Sequence, residues 1–248
     1  MPDTSSTRAS TRSSAPSCWR AEPVDLRPVE GALDVWRADL TAVADDVIEL
    51  LCHEERARAE RFARERDRLT WMRARGVLRH LLGRYLARDA RTLRLTVGAH
   101  GKPALPAGPP ESSGSRRRAT AGAPRLRFNL SHSGHLALYA FTTVGEVGVD
   151  VEVARRPIDE VALAARAFGP GEAQRLEPLD PAARRQEFRR AWARHEATLK
   201  CRGTGFGGGP AAHGPAPWIA ELDVGANAAA AVAAERAPEE LRCWGWQA

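Results

Sequence analysis

Cysteines, signal-peptide features and long apolar runs are scarce in this chain, and each absence excludes a class of protein. The four cysteines, at positions 18, 52, 201 and 243, are scattered and form no CxxC pair. They predict neither a disulfide framework nor a zinc site, and they favour a reduced, cytoplasmic location. No apolar run reaches the ~18 residues that span a bilayer, and the polar N-terminus lacks the apolar core of a signal peptide. We therefore expect no membrane partner.

Aromatic residues are also few, at 6% of the chain, whereas basic residues exceed acidic ones and give a net charge of +6. A basic surface suits an anionic partner such as nucleic acid, a phosphate-rich small molecule or an acidic protein. Because the arginines are not interleaved with base-stacking aromatics, nucleic acid is the least favoured of these. We therefore expect no nucleic-acid partner.

The 248 residues are enough for one large domain or two small ones with a sizeable core. We expect a disordered tail over 1–18, an N-terminal subdomain over 19–143 and a C-terminal subdomain over 144–248. Residues 106–125 are rich in Pro, Gly and Ser and predict a flexible insertion. Each half runs strand, helices and then strands, although no residue-level repeat is clear.

Periodicity predicts the elements of both halves. The predicted helices cover 45–65, 68–87, 161–168 and 181–200. The predicted strands cover 35–40, 93–97, 127–130, 136–141, 148–152, 218–222, 228–233 and 241–246.

The stretch Gly148-Val149-Asp150-Val151-Glu152 alternates apolar and acidic residues, which is typical of a half-buried strand. Asp150 and Glu152 would share one face, roughly 6–7 Å apart. Two carboxylates this close repel unless a cation lies between them, and oxygen ligands suit Mg²⁺. The alternative is a solvated sheet edge.

The helix predicted over 181–200 places Trp192, Glu196 and Lys200 on one face, at i, i+4 and i+8. A third carboxylate and an amine could therefore point at the same cation. The alternative is a surface ion pair between Glu196 and Lys200, worth about 0.2–0.5 kcal/mol.

Two further patterns suit phosphate. Ser131-His132-Ser133-Gly134 is predicted as a polar turn between strands, where hydroxyls, an imidazole and backbone N–H groups can cradle an anion. Arg75 and Arg79 lie four apart on a predicted helix and could reach a common anion. The alternatives are a hairpin turn with a capping serine and a solvated basic face.

Four motifs occur together in one order: Gly101-Lys102-Pro103, Phe128-Asn129-Leu130-Ser131-His132-Ser133, Gly148-Val149-Asp150-Val151-Glu152 and Trp192-x-x-x-Glu196-Ala197-x-x-Lys200. In this order and spacing the chain resembles the Sfp-type 4′-phosphopantetheinyl transferases, from about Trp36 to the C-terminus. The resemblance implies an α+β fold of two pseudo-symmetric subdomains, each with a small, mainly antiparallel sheet packed on a long helix. It places the active site in the cleft between them, and one chain holding both halves suggests a monomer.

The resemblance also implies a reaction. Such enzymes transfer the phosphopantetheine arm of coenzyme A to a serine of an apo acyl or peptidyl carrier protein, and 3′,5′-ADP leaves. Asp150 and Glu196 would hold Mg²⁺, with Glu152 as a ligand or water-holder and Glu172 as a further acidic candidate. Glu196 would also be the general base, and Lys200 would stabilise or protonate the leaving group. Trp192 would pack behind the site.

The resemblance assigns Ser131 and His132 to the 3′-phosphate of coenzyme A and Lys102 to the nucleotide site. Arg75 and Arg79 are further phosphate candidates. The chain departs from the family pattern at His195, where a lysine is usual, and a neutral imidazole there would weaken phosphate binding or make activity depend on pH.

Two other functions remain open from the sequence. A Mg²⁺-dependent nuclease would also use clustered Asp, Glu and Lys side chains, and its DNA binding would depend steeply on salt. A non-catalytic module that binds coenzyme A or a carrier protein is the other alternative, and only the His195 departure favours it.

Overall fold

The computed structural model describes residues 13–14, 19–98, 101–106, 125–154, 158–204 and 215–247. Most of the predicted tail (1–18) and nearly all of the predicted insertion (106–125) lie outside the described residues. The strands are β1 (Ser13–Ser14), β2 (Ala32–Asp39), β3 (Thr96–Val97), β4 (Pro103–Ala104), β5 (Arg127–Ser133), β6 (Leu136–Thr142), β7 (Val147–Val153), β8 (Trp218–Leu222), β9 (Ala228–Ala234) and β10 (Glu240–Gly245). The α-helices are α1 (His53–Ala59), α2 (Glu65–Leu86), α3 (Glu160–Phe168), α4 (Pro170–Leu176) and α5 (Pro181–Arg202).

The strands form two four-stranded sheets and one small hairpin. The first sheet has the order β10-β2-β6-β5, the second has the order β1-β8-β9-β7, and β3 pairs with β4. Most neighbours are antiparallel, and the predicted mixed α+β architecture is confirmed. The pairing of β10 with β2 is parallel, with Leu241 opposite Leu33. The last strand of the chain therefore joins a sheet whose other strands precede residue 143.

Four hydrophobic cores within the described residues join these elements. The first core packs α2 on the first sheet and includes Leu78, Leu82 and Tyr139. The second core lies between the two sheets and is built from apolar residues that include Val35 and Val149. The third packs α5 on the outer face of the second sheet, and its buried members are small: Ala193, Ala197, Cys201, Ala231 and Ala233. The fourth packs α3 and α4 on α5 through Ala164, Leu176 and Phe188.

The high alanine content of strand β9 is explained by its packing. Alanine is a poor strand former, yet all seven residues of Ala228–Ala234 are buried and pair with β7 and β8. The small side chains on its outer face let the backbone of α5 come close to the sheet. Tertiary packing here outweighs intrinsic strand propensity.

Three predicted elements are wrong in detail, and one is the strand predicted over 93–97, of which only Thr96–Val97 forms a strand. The helix predicted over 45–65 is a 3₁₀ turn (Asp45–Leu50) followed by the separate helix α1, whose start is capped by Cys52 and Glu55. The 3₁₀ turn instead packs on α2 at Gly76, where a Cβ would collide with the backbone of Val47. The predicted turn at 131–134 is also wrong, because Ser131–Ser133 continue β5 and pair with Leu136–Leu138 of β6.

None of the helices within the described ranges is long and apolar enough to cross a membrane.

Strand β7 and helix α5 are in close backbone contact at Gly148. A Cβ at this position would collide with the carbonyl oxygen of Ala197 and the backbone nitrogen of Cys201. Both atoms belong to the helix backbone, so they cannot move aside as a flexible side chain would. Glycine is therefore required at this point for the helix to lie on the strand.

We expect Gly148→Ala to destabilise the fold, because the added methyl group separates α5 from β7. Overpacking of this kind costs about 1–3 kcal/mol, and each 1 kcal/mol lowers Tm by about 2–4 °C in a domain of this size. Thermal unfolding of the purified variant measures the effect. Gly171→Ala is the matched control, since nothing lies within 4 Å of a Cβ at that position. Equal Tm values for the two variants would contradict the close contact.

Candidate active site

Strand β7 and helix α5 bring the central charged groups together. Alternation along β7 directs Gly148, Asp150 and Glu152 to the face covered by α5. The Lys200 ammonium lies 2.6 Å from Asp150 Oδ1, and it also donates to Ser131 Oγ at 3.0 Å. Ser131 Oγ in turn donates to Asp150 Oδ1 at 2.8 Å. The structure thus joins the side chains of Asp150, Lys200 and Ser131 in one network.

Two carboxylate oxygens in this site are buried without a hydrogen-bond partner among the described residues: Asp150 Oδ2 and Glu196 Oε1. Asp150 is only 3% exposed. Burial raises the pKa of Asp150, against the lowering effect of Lys200 and Ser131. Burial also raises the pKa of Glu196, and the negative charge of Asp150 adds to that rise. The site therefore holds two buried carboxyl groups whose ionised forms are opposed by burial, and Lys200 is the ammonium group that contacts Asp150.

An added cation would stabilise the ionised forms of both carboxyl groups. The described residues contain no group of three or more His, Cys, Asp or Glu side chains placed to hold a metal ion. Mg²⁺ does not require such a group, because one or two carboxylates commonly hold it together with substrate phosphates and water. The two unpartnered oxygens of Asp150 and Glu196 fit that donor set.

The other two acidic candidates lie in different surroundings. Glu152 is further along β7, where Ser133 Oγ donates to its Oε2 at 3.4 Å. Glu172 is on α4, and both of its carboxylate oxygens accept hydrogen bonds from Arg175, at 2.6 and 3.1 Å. This ion pair holds Glu172 in place instead of joining it to Asp150 and Glu196, so the predicted metal role of Glu172 finds no support.

A basic groove of about 330 Å³ is formed by residues of the first half of the chain together with Lys200 of α5. It is lined by Arg58, Trp71, Ala74, Arg75, Gly101, Lys102, Pro103, Asn129, Leu130, Ser131, His132 and Lys200. The predicted residues Arg75, Lys102, Ser131 and His132 are thus brought together. The cations and free volume of the groove suit an anionic ligand.

Arg58 and Trp71 were not predicted as site residues. The Arg58 guanidinium lies 5.4 Å from the centroid of the Trp71 ring, so the two side chains form a cation–π contact at the groove wall. Trp71 fits the apolar stripe of its helix, and one arginine among many carries no signal. Only their shared position in the groove identifies them.

Arg79 is a correction to the predicted site. Its side chain is 1% exposed, and its guanidinium donates to Glu55 Oε2 at 2.5 Å and to the carbonyl oxygens of Ala90 and Leu93. Arg75 donates to the other oxygen of Glu55, also at 2.5 Å. The common anion of the two arginines is therefore Glu55, and Arg79 is a buried structural residue that uses three of its five N–H donors within the first half of the chain.

Trp192 and His195 of α5 both pack against aromatic rings. Trp192 contacts the rings of Phe168 and Phe188 and so belongs to the apolar cluster between α3, α4 and α5. His195 packs edge-on to Phe168 with ring centroids 5.2 Å apart. Burial lowers the pKa of His195, which keeps its imidazole neutral at pH 7.

Comparison of the sequence with known protein families shows the family to which the chain belongs. Residues 36–143 match the model "4′-phosphopantetheinyl transferase, N-terminal", and residues 146–238 match the 4′-phosphopantetheinyl transferase superfamily. The 4′-phosphopantetheinyl transferase HetI of Nostoc sp. is 33% identical over 191 residues, which is 76% of each chain. The chain belongs to the 4′-phosphopantetheinyl transferase family.

Two more relatives cover less of this transferase-family chain. The provisionally named 4′-phosphopantetheinyl transferase slr0495 of Synechocystis sp. is 37% identical over 160 residues, which is 64% of this chain and 60% of the relative. The 4′-phosphopantetheinyl transferase AcpT of Salmonella typhi is 37% identical over 109 residues, or 44% and 49% of the two chains. The chain therefore spans about half to three quarters of the length of these three relatives.

The raised pKa of Glu196 leads to a stability prediction. A carboxyl group whose pKa is raised on folding favours the fold while protonated, and that contribution is lost as the pH rises through its folded pKa. Glu196→Gln should therefore have a higher Tm than the unmodified protein at about pH 7.5 without divalent cations. The difference should shrink toward about pH 4, where Glu196 is protonated.

Differential scanning fluorimetry across this pH range measures the effect. The matched control is Glu187→Gln on the same helix, because the Glu187 carboxylate is already paired with Arg175 and Arg190, so its removal should give no gain. If the Tm of Glu196→Gln at neutral pH were equal to or below that of the unmodified protein, other groups would already stabilise the charge of the Glu196 carboxylate, and the prediction would be wrong.

Proposed function

We propose that this protein transfers the 4′-phosphopantetheine arm of coenzyme A to a serine hydroxyl of an apo carrier protein, and that holo-carrier and 3′,5′-ADP are its products. The observation that carries this proposal is a pair of buried carboxylate oxygens, Asp150 Oδ2 and Glu196 Oε1, that have no hydrogen-bond partner among the described residues. Lys200, which donates to Asp150, also lines the basic groove. Family membership supports the class of reaction. It gives no support to the nuclease alternative.

The groove accounts for binding of the nucleotide half of coenzyme A. Arg58 and Arg75 line the wall formed by α1 and α2, and His132 lies on the same face of β5 as Leu130, directed toward α2. These groups would attract and orient the phosphates, because opposite charges in a partly enclosed groove interact more strongly than in water. The nucleotide would thus be held with its pyrophosphate near Lys200.

Asp150 and Glu196 would hold Mg²⁺, and the bound ion would neutralise charge on the pyrophosphate. The serine oxygen of the carrier attacks the β-phosphorus, and the bond from that phosphorus to the oxygen of 3′,5′-ADP breaks. Glu196 accepts the serine proton, a role for which its raised pKa suits it. Lys200 stabilises the negative charge that develops on the departing 3′,5′-ADP.

An acidic carrier protein would complement the net charge of +6. Complementary charge mainly accelerates encounter and selects the partner. The groove and the carboxylate pair both come from one chain, so a monomer has every group that the proposed reaction needs.

Intact-mass spectrometry tests the proposal. We expect an apo carrier protein to gain the mass of one phosphopantetheine arm after incubation with this protein, coenzyme A and Mg²⁺, and EDTA should prevent the gain. Asp150→Asn and Glu196→Gln should each lower the rate by at least about 10²-fold, the lower end for loss of a general acid or base. Glu187→Gln, which changes a carboxylate of the same helix outside the site, is the control.

Carriers of fatty acid, polyketide and nonribosomal peptide type should be tried in parallel. Absence of any mass gain across the three types, while coenzyme A still binds, would refute catalysis and favour the binding-module alternative.

A further inference from the structure

The Lys102 ammonium makes three hydrogen bonds, and every acceptor belongs to the second half of the chain. It donates to Glu146 Oε2 at 3.1 Å, to the Val147 carbonyl oxygen at 2.9 Å and to the Lys200 carbonyl oxygen at 3.0 Å. A lysine ammonium has three N–H donors and no acceptor. All three donors are therefore used within the protein, although Lys102 lines the nucleotide groove.

The backbone at Lys102 is fixed to the first half. The Lys102 carbonyl oxygen accepts from Gly98 N at 2.9 Å, and the next residue, Pro103, is buried and pairs with Val97 in the β3–β4 hairpin. Leu105 packs against the first core. The lysine thus reaches across from a hydrogen-bonded hairpin that is attached to the first core.

At the other end, Lys102 holds the two elements that form the catalytic network. Val147 is the first residue of β7, the strand that carries Asp150. Lys200 lies in the last turn of α5, where carbonyl oxygens lack helical partners and a cation is favourable. Lys102 binds the Lys200 carbonyl oxygen, and the Lys200 side chain binds Asp150. A displacement of this turn would therefore also displace the Lys200 ammonium from Asp150.

We propose that Lys102 is a positioning residue: it fixes the last turn of α5 against the start of β7, so that Lys200 meets Asp150, and it does not use its charge on the nucleotide. Its catalytic consequences rest on the proposed function. The nucleotide phosphates then depend for positive charge on Arg58 and on Arg75, which shares the single negative charge of Glu55 with Arg79 and so keeps net positive charge at the groove. The resemblance assigns Lys102 to nucleotide binding, and the two roles give opposite kinetic results.

The kinetic test compares Lys102→Met with the unmodified protein. Methionine keeps most of the side-chain length and removes the ammonium. For a positioning role, kcat should fall by about tenfold or more, since misplacement of a catalytic group by about 1 Å can cost 10²-fold. The Kd for 3′,5′-ADP, measured by calorimetry, should change less than about twofold, whereas Arg58→Met should raise it about tenfold, the equivalent of one charged contact.

A double variant tests whether Lys102 acts through Lys200. If it does, Lys102→Met combined with Lys200→Met should have nearly the kcat of Lys200→Met alone, because contacts within one network are not additive. A multiplicative loss in the double variant would overturn the proposal. So would a tenfold rise in the Kd for 3′,5′-ADP with unchanged kcat, which would make Lys102 a phosphate ligand.

Cysteine labelling gives a readout that requires no transferase activity. Cys201 is buried in the last turn of α5, and its thiol lies 3.4 Å from the Glu146 carbonyl oxygen, whereas the equally buried Cys243 is on β10. Lys102→Met should speed maleimide labelling of Cys201 about tenfold through easier local opening and leave Cys243 unchanged. Peptide mass spectrometry measures both rates in one sample.

Equal acceleration at both cysteines would indicate general destabilisation, and no acceleration at Cys201 would show that Lys102 does not hold the turn. Either result overturns the positioning role. If the unmodified protein transfers nothing but the labelling contrast appears, the proposed function fails while the structural role of Lys102 stands.

Discussion

The close contact between α5 and β7 at Gly148 is the constraint on which the site depends. A helix can lie this near a strand only if both present small side chains or none, and the alanines and glycine in this layer meet that condition. The consequence is chemical as well as structural. With the helix backbone directly against Gly148, Lys200 and Glu196 come near Asp150.

The site around Asp150 is electrostatically incomplete. Native proteins usually satisfy their buried polar groups, yet here two carboxylate oxygens have no partner among the described residues and both carboxyl groups have raised pKa values. Local departures of this kind are expected where function, and not stability, selects the residues. The same lack of neutralisation that costs stability is what the proposed function assigns to binding of a cation and an anionic substrate.

The two four-stranded sheets are joined by side chains between strands β5 and β7. β5 and β7 are edge strands of different sheets, and Asn129 Oδ1 accepts from Val149 N while Ser133 Oγ accepts from Val153 N. Ser131 of β5 contacts Asp150 of β7 between these two positions, and Lys102 reaches Val147 at the start of β7. The groove runs beside these contacts, so the residues that join the halves are also those that line or support the site.

Local sequence determined the elements that carry the site. Period-two alternation over 148–152 and helical spacing over 192–200 are properties of neighbouring residues, and they placed Asp150, Glu196 and Lys200 on the correct faces. The order of four short motifs indicated the family. The tertiary structure decided the partners: Glu55 for Arg79, Asp150 for Ser131, and Lys200 for Lys102, which is 98 positions away. Such contacts depend on how separate elements pack, and no periodicity along one stretch of chain records that.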